Sequence, residues 1–146
     1  MSDCVYLLDV NVLLALLWPD HRFHDRADLW FREQDTRRWA TCAFTQAGFV
    51  RLVCNASFTS SPLTPIEAAT LLADNLKAPR HTFWPTDISY NEAIAPFSMK
   101  ITGHRQVADA YLLGLAMNNK GKLATFDQGI SALLPKQAAA AFIVEV

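Results

Sequence analysis

The sequence predicts an α/β domain in which helices cover both faces of a parallel sheet, and three observations carry that prediction. Short apolar runs rich in strand formers alternate with stretches of helical periodicity. Two of those runs end on an aspartate, as strands do when they deliver a site to the carboxyl edge of a sheet. The 146-residue length suits one domain that buries roughly two-thirds of its unfolded surface.

The elements follow in chain order. Val5-Tyr6-Leu7-Leu8 reads as a buried strand that ends at Asp9, and the apolar stretch after Asn11 reads as a helix that Pro19 stops. Phe23, Ala27, Trp30 and Phe31 fall at helical spacing between His21 and Gln34. Trp39 to Phe44 is a second compact apolar run, with Thr45 the expected cap of a helix carrying Ala47, Val50 and Cys54. After the loop at Ser60-Ser61-Pro62, Thr64-Pro65-Ile66-Glu67 supplies a cap, a first-turn proline and a capping-box acid, opening a helix through Leu76. Thr82-Phe83-Trp84 suggests a third strand, Asp87 the cap of a brief helix that Pro96 ends, and Phe97 to His104 a loop. Ala108, Tyr111, Leu112 and Leu115 mark another helix, closed by Asn118, Asn119 and Gly121. Lys122 to Phe126 is then a strand that ends at Asp127, and Phe142 to Val144 a last one.

Composition narrows the function classes. The chain is 51% hydrophobic and 18% charged, against about 45–50% and about 25% for soluble domains, which is compatible with an apolar face kept for a partner. Val12 to Trp18, the longest apolar run, falls far short of the ~20 residues of a membrane span. The start Met1-Ser2-Asp3 lacks a secretory pattern, so a cytoplasmic protein without disulfides is expected. Cys4, Cys42 and Cys54 form no C-x-x-C pair and read as small core residues. A net charge of -1 announces no nucleic-acid footprint. An acid-lined site would offset basic residues such as Arg37, Arg38, Lys77, Arg80, His81, His104 and Arg105, which either line a groove or are solvated.

Asp9 and Asp127 both close apolar strands, and Asp109 lies near the start of a helix among apolar neighbours, where an acid is costly without a cationic partner. Oxygen donors without a histidine or cysteine set favour a hard ion, Mg²⁺ or Mn²⁺, over zinc. Asn11 and Thr125 are placed to orient carboxylates or water. Each aspartate also has a purely local explanation: Asp9 as a helix cap, Asp109 as a first-turn acid, and Asp127 as the start of a turn before Gly129. His21 and His24 lack the further ligands of a zinc site. His104 and Arg105 precede Asp109 by about one turn, which suits either a phosphate contact at the rim or plain surface placement. Glu67 reads as structural, Glu92 as remote, and the four tryptophans as too scattered for a stacking platform.

The segments 7–14, Thr45-Gln46-Ala47-Gly48-Phe49-Val50-Arg51, Gly103 to Leu112 and Leu123-Ala124-Thr125-Phe126-Asp127 resemble those of the PIN-domain ribonucleases, the VapC toxin branch above all. Order and spacing agree from Val5 to Val144. The resemblance implies a single PIN domain over residues 1–146, folded as a three-layer α/β/α sandwich with a central parallel sheet. It implies Mg²⁺- or Mn²⁺-dependent hydrolysis of RNA, with Asp9, Asp109 and Asp127 at the family's acidic positions and Asn11 and Thr125 at its polar supporting ones. It further implies a small VapB-like antitoxin partner and a homodimer. One departure stands out. Gln46 occupies a position where the family usually carries an acid, which removes a negative charge and a possible base and points to weaker metal affinity. The competing reading is therefore a catalytically weakened PIN fold that serves as an RNA- or protein-binding regulatory module. A haloacid-dehalogenase-type phosphatase is a more distant one, since that family wants an aspartate where Asn11 stands.

Overall fold

The computed structural model describes residues 4–34 and 36–146. The described strands are β1 (Val5–Leu8), β2 (Arg38–Thr41), β3 (His81–Phe83), β4 (Lys122–Thr125) and β5 (Ile143–Glu145). They form one sheet in the order β3-β2-β1-β4-β5, with every neighbouring pair parallel. Seven α-helices are described: α1 (Val10–Leu17), α2 (His24–Arg32), α3 (Ala43–Val53), α4 (Pro65–Leu76), α5 (Tyr90–Ile94), α6 (Val107–Asn118) and α7 (Lys136–Phe142).

The strands read as unbroken apolar runs because both faces of the sheet are covered. Successive side chains point to opposite faces, so Leu7 and Leu8, each fully buried, enter different cores. Leu7 joins Ala110, Leu113 and Leu123 beneath α5, α6 and α7, whereas Leu8 joins Val12, Phe49 and Val53 beneath α1 to α4. The three-layer sandwich expected from the sequence is the fold observed.

Chain order makes the centre of the sheet special. From β1 the chain moves outward through β2 to β3, then returns to lay β4 on the other side of β1. The connections leaving β1 and β4 therefore diverge to opposite faces and open a crevice beyond the carboxyl ends of these strands, the usual ligand position in open α/β sheets. Asp9 and Asp127 are the acids that follow β1 and β4.

Several local expectations need correction. Thr45 does not cap α3. Cys42 holds that position, and the Thr45 hydroxyl, at the third helical residue, accepts the Cys42 N–H at 3.0 Å. Ser89, not Asp87, caps α5, accepting the Glu92 N–H at 3.2 Å while its hydroxyl donates to Glu92 at 2.8 Å. The stretch expected to be loop after Pro96 contains a 3-10 segment, Ala95–Lys100, kinked at Phe97. A further 3-10 segment, Gln128–Leu133, and α7 fill the end of the chain, where only a strand was expected. The capping box of α4 is as read: Glu67 accepts the Thr64 N–H at 2.9 Å and Thr64 accepts the Glu67 N–H at 3.3 Å.

Two glycines set how closely helices approach the crevice. A Cβ on Gly48 of α3 would sit 2.7 Å from Val10 of α1, and one on Gly114 of α6 would sit 2.2 Å from the Ala93 carbonyl oxygen of α5. Contacts this short exclude any side chain, so glycine brings α3 and α6 close to their neighbours on either side of Asp9.

Candidate active site

Asp9 passes directly from β1 into α1. Its own N–H donates to the Ala124 carbonyl of β4 at 3.1 Å, which pins the backbone, and its carboxylate caps α1 by accepting the Val12 N–H at 2.8 Å. The side chain is 4% exposed. Burial pushes its carboxyl up to about 7, against the pull of hydrogen bonds from Thr125 and Val12 and with a further push from the charges of Asp109 and Asp127. Asp109, in the first turn of α6, is partly buried, and burial together with the Asp127 charge raises its carboxyl as well. The three acids are thus close enough to feel one another, although they come from separate elements.

Thr125, the last residue of β4 and fully buried, joins two of them. Its hydroxyl accepts the Asp127 N–H at 2.9 Å and bonds the Asp9 carboxylate. Asp127 is exposed and turns one oxygen to the Gly129 N–H at 2.8 Å, capping the 3-10 segment that follows. The local roles foreseen for Asp9 and Asp127 therefore hold together with the shared cluster. Among the described residues, however, no three His, Cys, Asp or Glu side chains stand in an arrangement that could hold a metal ion as they are. The donor chemistry fits a hard divalent cation: carboxylate oxygens, one of them buried without a cationic partner. The Asp127 oxygen that would join such a site is engaged by the Gly129 N–H.

Asn11 lies exposed in the first turn of α1 and makes no hydrogen bond to any of the acids among the described residues. Gln46 is held differently from an acid. Its side-chain N–H donates to the Thr41 hydroxyl at 3.0 Å, and Thr41 is 2.7 Å from His81 Nε2. A hydroxyl has one proton to give. The Thr41 oxygen has two acceptor sites, so with Gln46 on one of them it accepts from His81 Nε2–H or donates to Nε2 according to the imidazole tautomer. Burial lowers the His81 pKa and favours the neutral imidazole. Sequence reasoning missed Thr41 and the role of His81. The available signal was Thr41 itself, a polar residue ending an apolar strand, as Thr125 does in β4.

Beside Asp109 runs a groove of about 670 Å³, walled by Phe44, Arg51, Tyr90, Val107 and Tyr111. Phe44 is 61% exposed and meets Tyr111 edge-on at 5.4 Å, and Tyr90 stacks on Tyr111 at 6.2 Å. By local pattern Phe44 and Tyr111 fall in a strand and a helix, with no sign that they share a groove with Tyr90. His104 and Arg105 occupy an exposed 3-10 turn immediately before α6, at the same end as Asp109. His21 and His24 serve structure: His21 accepts the Phe23 N–H at 3.0 Å, and His24 Nδ1 lies 2.8 Å from the Ala15 carbonyl. Arg37, expected either in a groove or in solvent, is instead buried at the opposite, amino edge of the sheet.

A buried acid at the switch point of a parallel sheet, with two more acids converging on it, defines a class of α/β protein, and the comparisons identify it. The PIN domain profile matches residues 6–133. The chain belongs to the PIN-domain family. It is 39% identical over 140 residues to Ribonuclease VapC39 of Mycobacterium tuberculosis, spanning 96% of this chain and 97% of that one. To Ribonuclease VapC44 of the same organism it is 43% identical over 125 residues, 86% of this chain and 87% of the relative. Its place in the family is thus beside the VapC ribonucleases. The fold also superposes on VapBC2 from Rickettsia felis, solved bound to a promoter DNA fragment, with a TM-score of 0.60, 12% identity and coverage of 97% and 98%. FitAcB from Neisseria gonorrhoeae matches with a TM-score of 0.57, 20% identity and coverage of 96% of both chains. At these identities the superpositions speak for the fold alone.

Proposed function

We propose that this chain is the ribonuclease toxin of a toxin–antitoxin pair, hydrolysing RNA phosphodiester bonds with Mg²⁺ or Mn²⁺ held by Asp9, Asp109 and Asp127. The observation that carries the reading is Asp9, buried at the switch point, its carboxyl raised to about 7, facing two further acids with no cationic side chain beside it among the described residues. A bound divalent ion supplies charge stabilisation to the phosphoryl oxygens and acidifies water. The chain supplies the rest. The Val12 N–H and the Thr125 hydroxyl fix the Asp9 carboxylate, Thr125 ties it to Asp127, and the groove beside Asp109 gives the flanking nucleotide an aromatic wall at Phe44. Arg51 on that wall supplies a phosphate contact.

The relatives are named ribonucleases, and the solved neighbours include the assemblies VapBC2 and FitAcB. These names support a small VapB-like antitoxin as partner and a homodimeric toxin in the cytoplasm. No described helix is long and apolar enough to cross a membrane. One observation favours the weakened, regulatory alternative: the neutral Gln46 amide is tied to Thr41 where an acid would add charge to the site. The deciding experiment is cleavage of total RNA by purified chain and by Asp9→Asn, with Mn²⁺ and with EDTA. Metal-dependent cleavage, reduced at least about 10²-fold in the variant, is the expected result. Tight RNA retention without turnover would select the regulatory reading.

A further inference from the structure

The amino edge of the sheet carries the reverse electrostatic anomaly. Arg37, just before β2, is 7% exposed, and its guanidinium carbon lies 4.1 Å from the Trp30 ring centroid and 4.9 Å from that of Tyr6. Its Nε is buried without a hydrogen-bond partner, and no carboxylate pairs with it among the described residues. Cation–π contacts offset only part of the desolvation of a buried guanidinium.

Arg37 lines a cavity of about 360 Å³ whose wall also includes Arg32, Arg80, Asp28, Phe31 and Leu17. Arg80 has a left-handed φ of 68°, rare and costly for a side chain of this kind, and its carbonyl is anchored by the Trp39 N–H at 3.1 Å. Asp28, the acidic residue on this wall, is already engaged by Arg32 at 2.9 Å. The last turns of α1, α2 and α4 end at the same edge with partial negative charge, yet neither Arg37 nor Arg80 donates to their carbonyls among the described residues. Neither guanidinium makes a hydrogen bond or ion pair among the described residues.

We propose that this cavity binds an oxyanion, a phosphate monoester or a carboxylate, carried on a small organic body. Arg37 and Arg80 are the charged contacts, since guanidinium is the side chain best matched to planar or tetrahedral oxyanions. The cavity is larger than a phosphate group, and Phe31 and Leu17 give the remainder an apolar wall, so a nucleoside or aryl body completes the fit. The site lies at the edge opposite the acids and does not depend on the ribonuclease reading.

The test is calorimetric titration of the purified full chain, in EDTA so that no metal bridges a nucleotide to the acids, with AMP, adenosine, inorganic phosphate and phenylacetate. Saturable binding of AMP but not adenosine is expected if the ligand is a phosphate, and of phenylacetate ahead of AMP if it is a carboxylate. Arg37→Met should weaken the bound anion roughly 10- to 100-fold while leaving the melting temperature equal or higher, because an apolar side chain of similar length removes the buried charge. Should that variant not fold, Arg80→Gln, at an exposed position, should weaken binding by about tenfold. Adenosine binding as tightly as AMP, no saturable binding of any anion, or unaltered binding in both arginine variants would overturn the proposal.

Discussion

At the carboxyl edge of the sheet a buried carboxylate has its oxygens met by a helix N–H and a threonine hydroxyl, whereas at the amino edge a buried guanidinium has only the faces of Tyr6 and Trp30. Both charges lack a counter-ion among the described residues. The difference lies in how each escapes the cost of burial. Burial disfavours the charged form and raises the Asp9 carboxyl to about 7, so it can take up a proton in the neutral range. Arg37 instead lies against two aromatic faces, with no acid paired to it among the described residues. The same fold thus buries a charge of each sign, one at either edge of the sheet.

The largest test of that contrast is the pH dependence of stability in the metal-free protein. Asp9 titrates near 3.8 in the unfolded chain and near 7 in the folded one. Between those values the folded state binds the extra proton, so stability falls as pH rises through the window and levels off above 7. The drop attributable to Asp9 is on the order of 4 kcal/mol at most. Asp9→Asn should flatten this slope and melt higher than the parent at pH 8, although it abolishes the proposed cleavage. Arg37→Met should leave the slope untouched. Parallel melting curves for parent and Asp9→Asn from pH 5 to 8 would break the comparison.

Next in size is the exchange of Gln46 for the family's usual acid. A glutamate only accepts, so Thr41 would give its proton to the new carboxylate, and His81 would have to donate from Nε2. Gln46→Glu should therefore hold the His81 hydrogen on Nε2 and raise a pKa that burial now lowers, both readable by NMR of the imidazole. It should also tighten Mn²⁺ binding. An unchanged imidazole pKa would sever Gln46 from His81. A smaller effect belongs to Arg51 beside Asp109. Arg51→Ala should raise the KM for RNA a few-fold with kcat constant, and reduce the salt slope by about 0.7 for one lost phosphate contact. The smallest is a control remote from both edges: Thr64→Ala removes the cap of α4 and should cost about 1 kcal/mol, seen as a lower melting temperature with cleavage unaffected.

Much of this architecture is legible in the chain itself. Apolar runs ending on Asp9 and Asp127 mark the two strands that flank the switch point, and Thr64-Pro65-Ile66-Glu67 marks the start of α4, because buried strands and capping boxes each depend on adjacent residues. What escaped notice depends on tertiary placement. Asp87 and Ser89 are equally good caps in isolation, and Ser89 prevails because Glu92, three residues on, returns its bond. The 3-10 segment after Asp127 has weak local periodicity and is fixed by burial of Ile130 and Leu133. The link from Gln46 to His81 joins residues on α3 and β3 that only the pairing of β2 with β3 brings together. Arg37 appears in the sequence as one more surface cation, since nothing nearby announces that Tyr6 and Trp30 will enclose it.

The placement of Asp9 and Asp127 also sets when the acidic cluster forms. The two acids follow strands far apart in the chain and come together by docking β4 alongside β1. Pairing of that kind, between segments far apart in sequence, is slow compared with helix formation. A half-folded copy in which β4 has not yet docked therefore lacks the acidic cluster, and under the proposed function it would leave RNA uncut during that interval.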